Sequence, residues 1–198
     1  MKKLVSAFER SFRIILILWA VFLIDCILNH IFQVEIASYG LRPRSLSGLI
    51  GIFTGPFLHG SLFHILSNSF CLMTLLPFYY FAFSNTKVNE VIFKIVVLSG
   101  ILLWLFGRGD SLHIGASSLV YGLAFYMCPA GWIHKKPVLL SFGVTFMIFQ
   151  GISLFIGMLP TNPSISWEGH ILGALAGIIV AVSEMKRYNK IDANADCT

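Results

Sequence analysis

Charge is what this sequence has least of. Asp, Glu, Lys and Arg make up 12% of the 198 residues and hydrophobic residues 57%, a balance that excludes a water-soluble globular domain. Cysteine is sparse as well: Cys26, Cys71, Cys128 and Cys197 show no CxxC or metal-ligand spacing. Three of them lie within apolar runs, where a thiol behaves as a small hydrophobe, so no disulfide framework is expected. His59, His64, His113 and His170 lack the carboxylate or cysteine company of a zinc site, and neither a metal nor a cofactor is implied. The net charge of +5 is scattered in small groups rather than gathered in one stripe, which argues against a nucleic-acid partner. No internal repeat, low-complexity tract or second domain interrupts the chain. The basic start and the apolar run Ile14–Ile24 resemble a signal peptide, but the run continues to about Phe32 with no convincing small-residue cleavage site, so it reads as an uncleaved first span.

What the chain does have is long apolar runs, and a membrane helix needs about 20 such residues. Polar and Gly/Pro-rich breaks divide the sequence into six expected spans, roughly 12–32, 60–83, 91–106, 117–132, 137–159 and 167–185. This predicts an all-α polytopic membrane protein with one membrane domain. The third and fourth runs are short for a full crossing, as expected where protein covers their outer ends. Lys2, Lys3, Arg10, Arg13, Lys87, Lys94, Lys135, Lys136, Lys186, Arg187 and Lys190 fall on one side, 11 of the 14 basic residues. By the positive-inside rule that side is cytoplasmic, with both termini on it and with loops 33–59, 107–116 and 160–166 external. The expected location is therefore a cell membrane, multi-pass, with the bilayer as a partner.

The stretch HGSLFHILSNSF, His59 to Phe70, is unusually polar for a lipid setting. At 100° per residue Ser61, His64, Asn68 and Cys71 fall within a sector about 80° wide. Unpaired amide and imidazole groups cost several kcal/mol in hydrocarbon, so the stripe faces protein or a wet cavity. It reads either as interhelical glue or as two donors, His64 and Asn68, aimed at a point where negative charge develops.

HIGASSLVYG, His113 to Gly122, puts Ser117 where a glycine-containing loop meets an apolar helix, a place whose free amides stabilise an anion and which suits a nucleophile. The plainer reading is a small-residue cap. In EGHILGALAGIIVA, Gly169, Gly173 and Gly177 form a doubled GxxxG beside His170, and Ser118 with Gly122 forms a small-xxx-small pair. The two helices can therefore approach closely and bring Ser117 and His170 together at one end. A nucleophile, a base and oxyanion donors agree in depth, side and chemistry.

In this order and spacing, HGSLFHILSN, GASSLVYG and GHILGALAG resemble the rhomboid family of intramembrane serine proteases, over nearly the whole chain from first to sixth span. The resemblance implies a six-transmembrane-helix bundle and a Ser/His dyad, with Ser117 the nucleophile and His170 the general base. It further implies that His64, Asn68 and the Ser117 amide stabilise the oxyanion and that Tyr121 packs against the base. The implied reaction is cleavage of transmembrane protein substrates near the external face. The fifth span with the loop LPTNPSIS reads as the gate, because Pro160, Asn162 and Pro163 break helix while Gly151 and Gly157 permit bending. The alternative within this resemblance is an inactive relative that binds or escorts transmembrane segments. The chain departs from the family pattern in three places. Ser118 stands where the second glycine of GxSG is usual, which leaves Ser118 as the other candidate nucleophile. Ile50-Gly51 replaces a Trp-Arg pair in the first external loop, with Arg42 or Arg44 available as anchors, and a glutamate-containing motif is missing around Pro77–Asn85. Glu168 lies about 200° around the helix from His170 and is not assigned to catalysis; His59 and His113 are expected to be structural and loop residues.

Overall fold

The computed structural model describes residues 2–195, with side chains through Met185; Cys197 and the side chains of Lys186, Arg187 and Lys190, used above in reading the chain, lie outside this set. Six long helices follow one another: α1 (Lys2–Phe32), α2 (Leu62–Ala82), α3 (Asn85–Phe106), α4 (Ser117–Ile133), α5 (Pro137–Gly157) and α6 (Trp167–Ala195). Among the described residues no strand forms, and the one β-type pairing is an isolated bridge between Leu41 and His113.

Five helices, α1, α2, α3, α5 and the Trp167–Met185 part of α6, are long and apolar enough to cross a membrane. The expectation of six spans is met by length and apolarity in these five. The remaining helix, α4, has 17 residues; at 1.5 Å per residue it is about 26 Å long, short of the ~30 Å hydrocarbon core. It is also the most enclosed helix, burying Leu119 to Ala124 in succession as well as Tyr126, Met127, Ala130 and Gly131. Its neighbours cover most of its surface, with Trp132 near its end left exposed, so lipid does not set its length.

Three helices, α1, α3 and α6, are longer than hydropathy implies. The third run, expected over 91–106, begins at Asn85 because the Ser84 hydroxyl accepts the Lys87 amide at 3.3 Å and caps a polar first turn. Helix α1 starts ten residues before the apolar run. A Ser61 cap, accepting from the His64 amide at 3.2 Å, starts α2, and Pro137 occupies the first turn of α5, where its missing N–H costs nothing.

Packing is inverted relative to a water-soluble protein. The centre holds Leu72, Leu75, Leu76 and Tyr79 of α2, Ile95 of α3 and Leu123 of α4, all essentially inaccessible. Large apolar side chains cover the outside, and Ile148, Phe149 and Ile152 of α5 are 70–79% exposed. In water that face would be an aggregation site; against lipid it costs nothing.

The tightest contact is between α4 and α6. A Cβ placed on Gly173 would overlap the Ser118 carbonyl oxygen, and one on Gly177 would overlap the Gly122 carbonyl oxygen. Each α6 glycine thus receives an α4 backbone carbonyl, which fixes the register of the two helices.

Candidate active site

The start of α4 is set by Gly115. Its φ of +104° is closed to ordinary side chains, and its amide donates to the Gly55 carbonyl at 2.9 Å, tying this loop to the loop between α1 and α2. Ala116 then precedes the helix with no side chain to cap it. Unlike α2 and α3, α4 therefore begins with first-turn amides that no hydroxyl has taken, and Ser117 is its first residue.

Helix α2 brings the polar stripe to the same place. A Cβ on Gly115 would overlap the His64 ring and come within 3.4 Å of Asn68 Nδ2. Only a glycine lets both side chains approach the chain two residues before Ser117. Asn68 is 5% exposed and its Nδ2 has no hydrogen-bond partner among the described residues. An unsatisfied buried donor costs about 1–3 kcal/mol. Ser61, by contrast, serves as the α2 cap and Cys71 packs against the hydrophobic core, so of the four-residue stripe only His64 and Asn68 reach the α4 start.

His59 lies closer to this pair than its helix angle suggests. It is 2% exposed, and its ring meets that of His64 edge-on with centroids 5.0 Å apart. Its Nδ1 donates to the Phe57 carbonyl at 3.2 Å, and burial, reinforced by His64 and opposed by that carbonyl, pushes its pKa down to about 4. It is the neutral wall behind His64.

On α6, His170 is held at one ring face and one edge. Its ring stacks on Tyr121 with centroids 4.2 Å apart and planes 8° from parallel. Its Nδ1 lies 2.7 Å from the Gly157 carbonyl oxygen at the end of α5. A carbonyl only accepts, so Nδ1 carries the proton and Nε2 keeps its lone pair. Tyr121 is fixed in turn by donating to the Leu154 carbonyl at 2.9 Å. Gly157 is needed here: a Cβ on it would overlap the Tyr121 hydroxyl. Of the two glycines expected to let the fifth span bend, Gly157 is thus packed against the site, and only Gly151 has open space around it.

His64, Asn68, Ser117, Tyr121 and His170 consequently gather at one end of the bundle. Among the described residues no hydrogen bond joins Ser117 Oγ to His170; such bonds often tighten only when substrate is bound. A cavity of about 30 Å³, room for one water, is bordered by Ser117, Ser118, Ser99, Ser166 and His113.

A second polar group borders this cavity through His113 and Ser166, and sequence reasoning missed it. Arg108 Nε lies 2.6 Å from Glu168 Oε1, and Arg108 Nη2 donates to the Ile165 carbonyl at 3.1 Å. The carboxylate is buried and neither Nε nor the carboxylate oxygens make a directed hydrogen bond, so the attraction is ionic. His113, 4% exposed, lies with Nδ1 2.6 Å from Ser166 Oγ and with Nε2 3.2 Å from Ser111 Oγ. Burial lowers its pKa; Glu168 opposes that shift and Arg108 adds to it. The loop between α1 and α2 is pinned to this group by the paired Leu41 and His113 backbones, N–H to oxygen in both directions at 2.9 Å. Of the two arginines available as anchors, Arg44 makes the bonds: its Nη1 donates to the Gly107 and Leu105 carbonyls at 2.7 and 3.2 Å, at the C-terminus of α3, where a cation is favoured. Trp104 Nε1 returns a bond to the Ser45 carbonyl at 2.8 Å.

Comparison with known sequences bears on what this arrangement is. A family model described as Rhomboid domain matches residues 46–187, which include all five gathered residues. An uncharacterized protein of Mycobacterium tuberculosis is 28% identical over 153 residues, covering 72% of this chain and 62% of the relative. An uncharacterized protein of Mycobacterium leprae is 28% identical over 174 residues, covering 83% of this chain and 66% of the relative. The chain thus spans less than two thirds of the length of these mycobacterial relatives.

Proposed function

Because the chain belongs to the rhomboid family, we propose that it is an intramembrane serine endopeptidase that cuts transmembrane segments of other proteins, with Ser117 as nucleophile and His170 as general base. The observation that supports this most is the state of His170: Nδ1 is committed to the Gly157 carbonyl, and Nε2 is left basic beside the uncapped start of α4. A serine hydroxyl needs such a base. The Gly157 carbonyl performs the orienting that a carboxylate performs in a triad.

In the proposed reaction Ser117 Oγ attacks the scissile carbonyl carbon while its proton passes to His170 Nε2. The carbonyl oxygen becomes an oxyanion and accepts from Asn68 Nδ2, the His64 ring N–H and the Ser117 amide. Collapse breaks the C–N bond, and the imidazolium returns the proton to the leaving amine. Water then repeats the sequence on the acyl-Ser117 ester, releasing the new carboxyl terminus and free Ser117. Tyr121 stacking keeps the imidazole in one plane through both halves. The enclosed α4 completes six crossings, the Lys- and Arg-rich end is cytoplasmic, and Ser117 opens to the external side. Substrate enters sideways past α5.

Fluorophosphonate labelling of the purified protein in detergent tests this. Labelling of the parent and of Ser118→Ala, lost in Ser117→Ala, is the expected result. Labelling that survives in Ser117→Ala and disappears in Ser118→Ala moves the nucleophile by one residue. A folded parent that never labels and never cleaves, yet retains transmembrane segments, is the escort alternative.

A further inference from the structure

At the end of the bundle opposite Ser117 lies a cavity of about 290 Å³ that the proposed chemistry does not use. One wall is the first two turns of α1. Lys3, Ser6 and Arg10 line it at spacings of three and four residues, hence on one helix face. The opposite wall is Tyr80 together with Ser84 and Asn85, where α3 begins. Two cations and three hydroxyls therefore face one space, and no carboxylate lines it.

The details give that space a preferred charge. Lys3 Nζ sits 5.2 Å from the centre of the Phe81 ring, a cation–π contact that draws the ammonium inward from solvent. Arg10 Nε donates to Ser6 Oγ at 3.3 Å, using one guanidinium donor and leaving its other N–H groups for a partner. Ser84 Oγ accepts the Lys87 amide and the Ser84 carbonyl accepts the Val88 amide at 3.0 Å. The Asn85 and Thr86 amides that precede them have no acceptor among the described residues, so the positive end of a 22-residue helix faces the same space. The floor is apolar, formed by Ala7 and Phe83, which suits a ligand with an anionic head and a hydrocarbon continuation.

We propose that this cavity binds the phosphodiester headgroup of an anionic phospholipid, with Lys3 and Arg10 as its charged ligands. A phosphodiester matches the walls: oxygens for the guanidinium fork and ammonium, acceptors for the Ser6 and Ser84 hydroxyls and the free amides, and acyl chains that run on along the apolar surface, while the Tyr80 hydroxyl already donates to Asn89 Oδ1 at 3.1 Å. Free phosphate shares the head chemistry but has nothing for the floor.

The test uses the full chain in phosphatidylcholine nanodiscs, with or without about one-third phosphatidylglycerol, reading Tm and the lipids retained in native mass spectrometry. Phosphatidylglycerol raises the Tm of the parent by several degrees and leaves one such lipid bound. Lys3→Gln/Arg10→Gln loses both effects. Lys135→Gln/Lys136→Gln, which removes the same charge from the same end of the bundle but outside the cavity, keeps both. Inorganic phosphate at millimolar concentration in pure phosphatidylcholine gives no shift; a full shift there would overturn the lipid as source. Equal loss in the two double variants means surface potential alone and overturns the site, as does full retention in Lys3→Gln/Arg10→Gln. Should that variant fail to fold, Ser6→Glu places a carboxylate in the cavity and must abolish lipid retention for the site to stand. None of these readouts depends on proteolysis.

Discussion

Replacing Asn68 by Ala separates catalysis from packing, because the two roles move different observables. As interhelical glue, the amide would hold α2 to the α4 loop, and its loss would lower stability. Its Nδ2, however, has no partner among the described residues, and leaving such a donor buried already costs about 1–3 kcal/mol. Truncation removes that penalty and also removes a few packing contacts, so the two changes oppose each other. For a chain of this size about 1 kcal/mol corresponds to 2–4 °C, and the expected Tm change is within about 4 °C in either direction. The transition state reads differently. Loss of a single oxyanion donor costs about 10²–10³ in kcat. With His64 and the Ser117 amide still in place, the loss here is about 10-fold or more, at least about 1.4 kcal/mol of transition-state stabilisation. KM is expected to hold, because the oxygen gains its charge only after binding. The assay is cleavage of a model transmembrane substrate in proteoliposomes, with kcat and KM fitted separately and Tm measured on the same preparation. An Asn68→Ala protein that melts more than 8 °C below the parent, roughly 2 kcal/mol or more, yet cleaves at the parent kcat, would refute the oxyanion role and make the residue glue.

Three further outcomes are expected. His170→Ala leaves the fold intact and abolishes turnover, and turnover of a model substrate at the parent rate would remove the dyad. Gly173→Leu drives a side chain into the Ser118 carbonyl; overpacking of about 1–3 kcal/mol lowers Tm and activity together, and a variant normal in both would place that glycine against lipid. His59 has a folded pKa of about 4, below its unfolded value, so the unfolded state binds the extra proton and stability falls as pH drops from about 6.5 to 4, by up to about 3 kcal/mol from this residue. Melting curves across that range are expected to flatten in His59→Gln, and an unchanged pH slope would show that His59 is not neutral in the fold.

The apolar helices were readable because hydropathy reports which segments avoid water. The same property hid the polar ends of α1 and α3, whose first turns are held by a cap or project beyond the apolar stretch. The polar stripe was readable from the 100° periodicity, and Gly115 from its place before Ser117. Two parts of the site were not readable. The group that orients His170 is the backbone carbonyl of Gly157, thirteen residues away across a loop, and a carbonyl leaves no mark in a sequence. Glu168 was set aside because it points away from His170 on the helix, yet that direction carries it to Arg108. The signal available was that Glu168 and Arg108 lie at the same end of the bundle, but Glu35, Arg42, Arg44 and Asp110 lie there too, and only a fold selects which pair meets.

The Gly157 carbonyl has a mechanical consequence. The last turn of α5 holds His170 through Gly157 and Tyr121 through Leu154, while the outward face of that helix is among the most exposed in the molecule. Swinging this turn outward therefore disconnects the base from its tautomer lock and frees the ring that stacks on it, at about 1 kcal/mol for each bond. Under the proposed function, opening of this flank and proton abstraction by His170 exclude each other: the site is disarmed when the turn swings out and rearmed when it returns, a safety interlock made from two peptide oxygens.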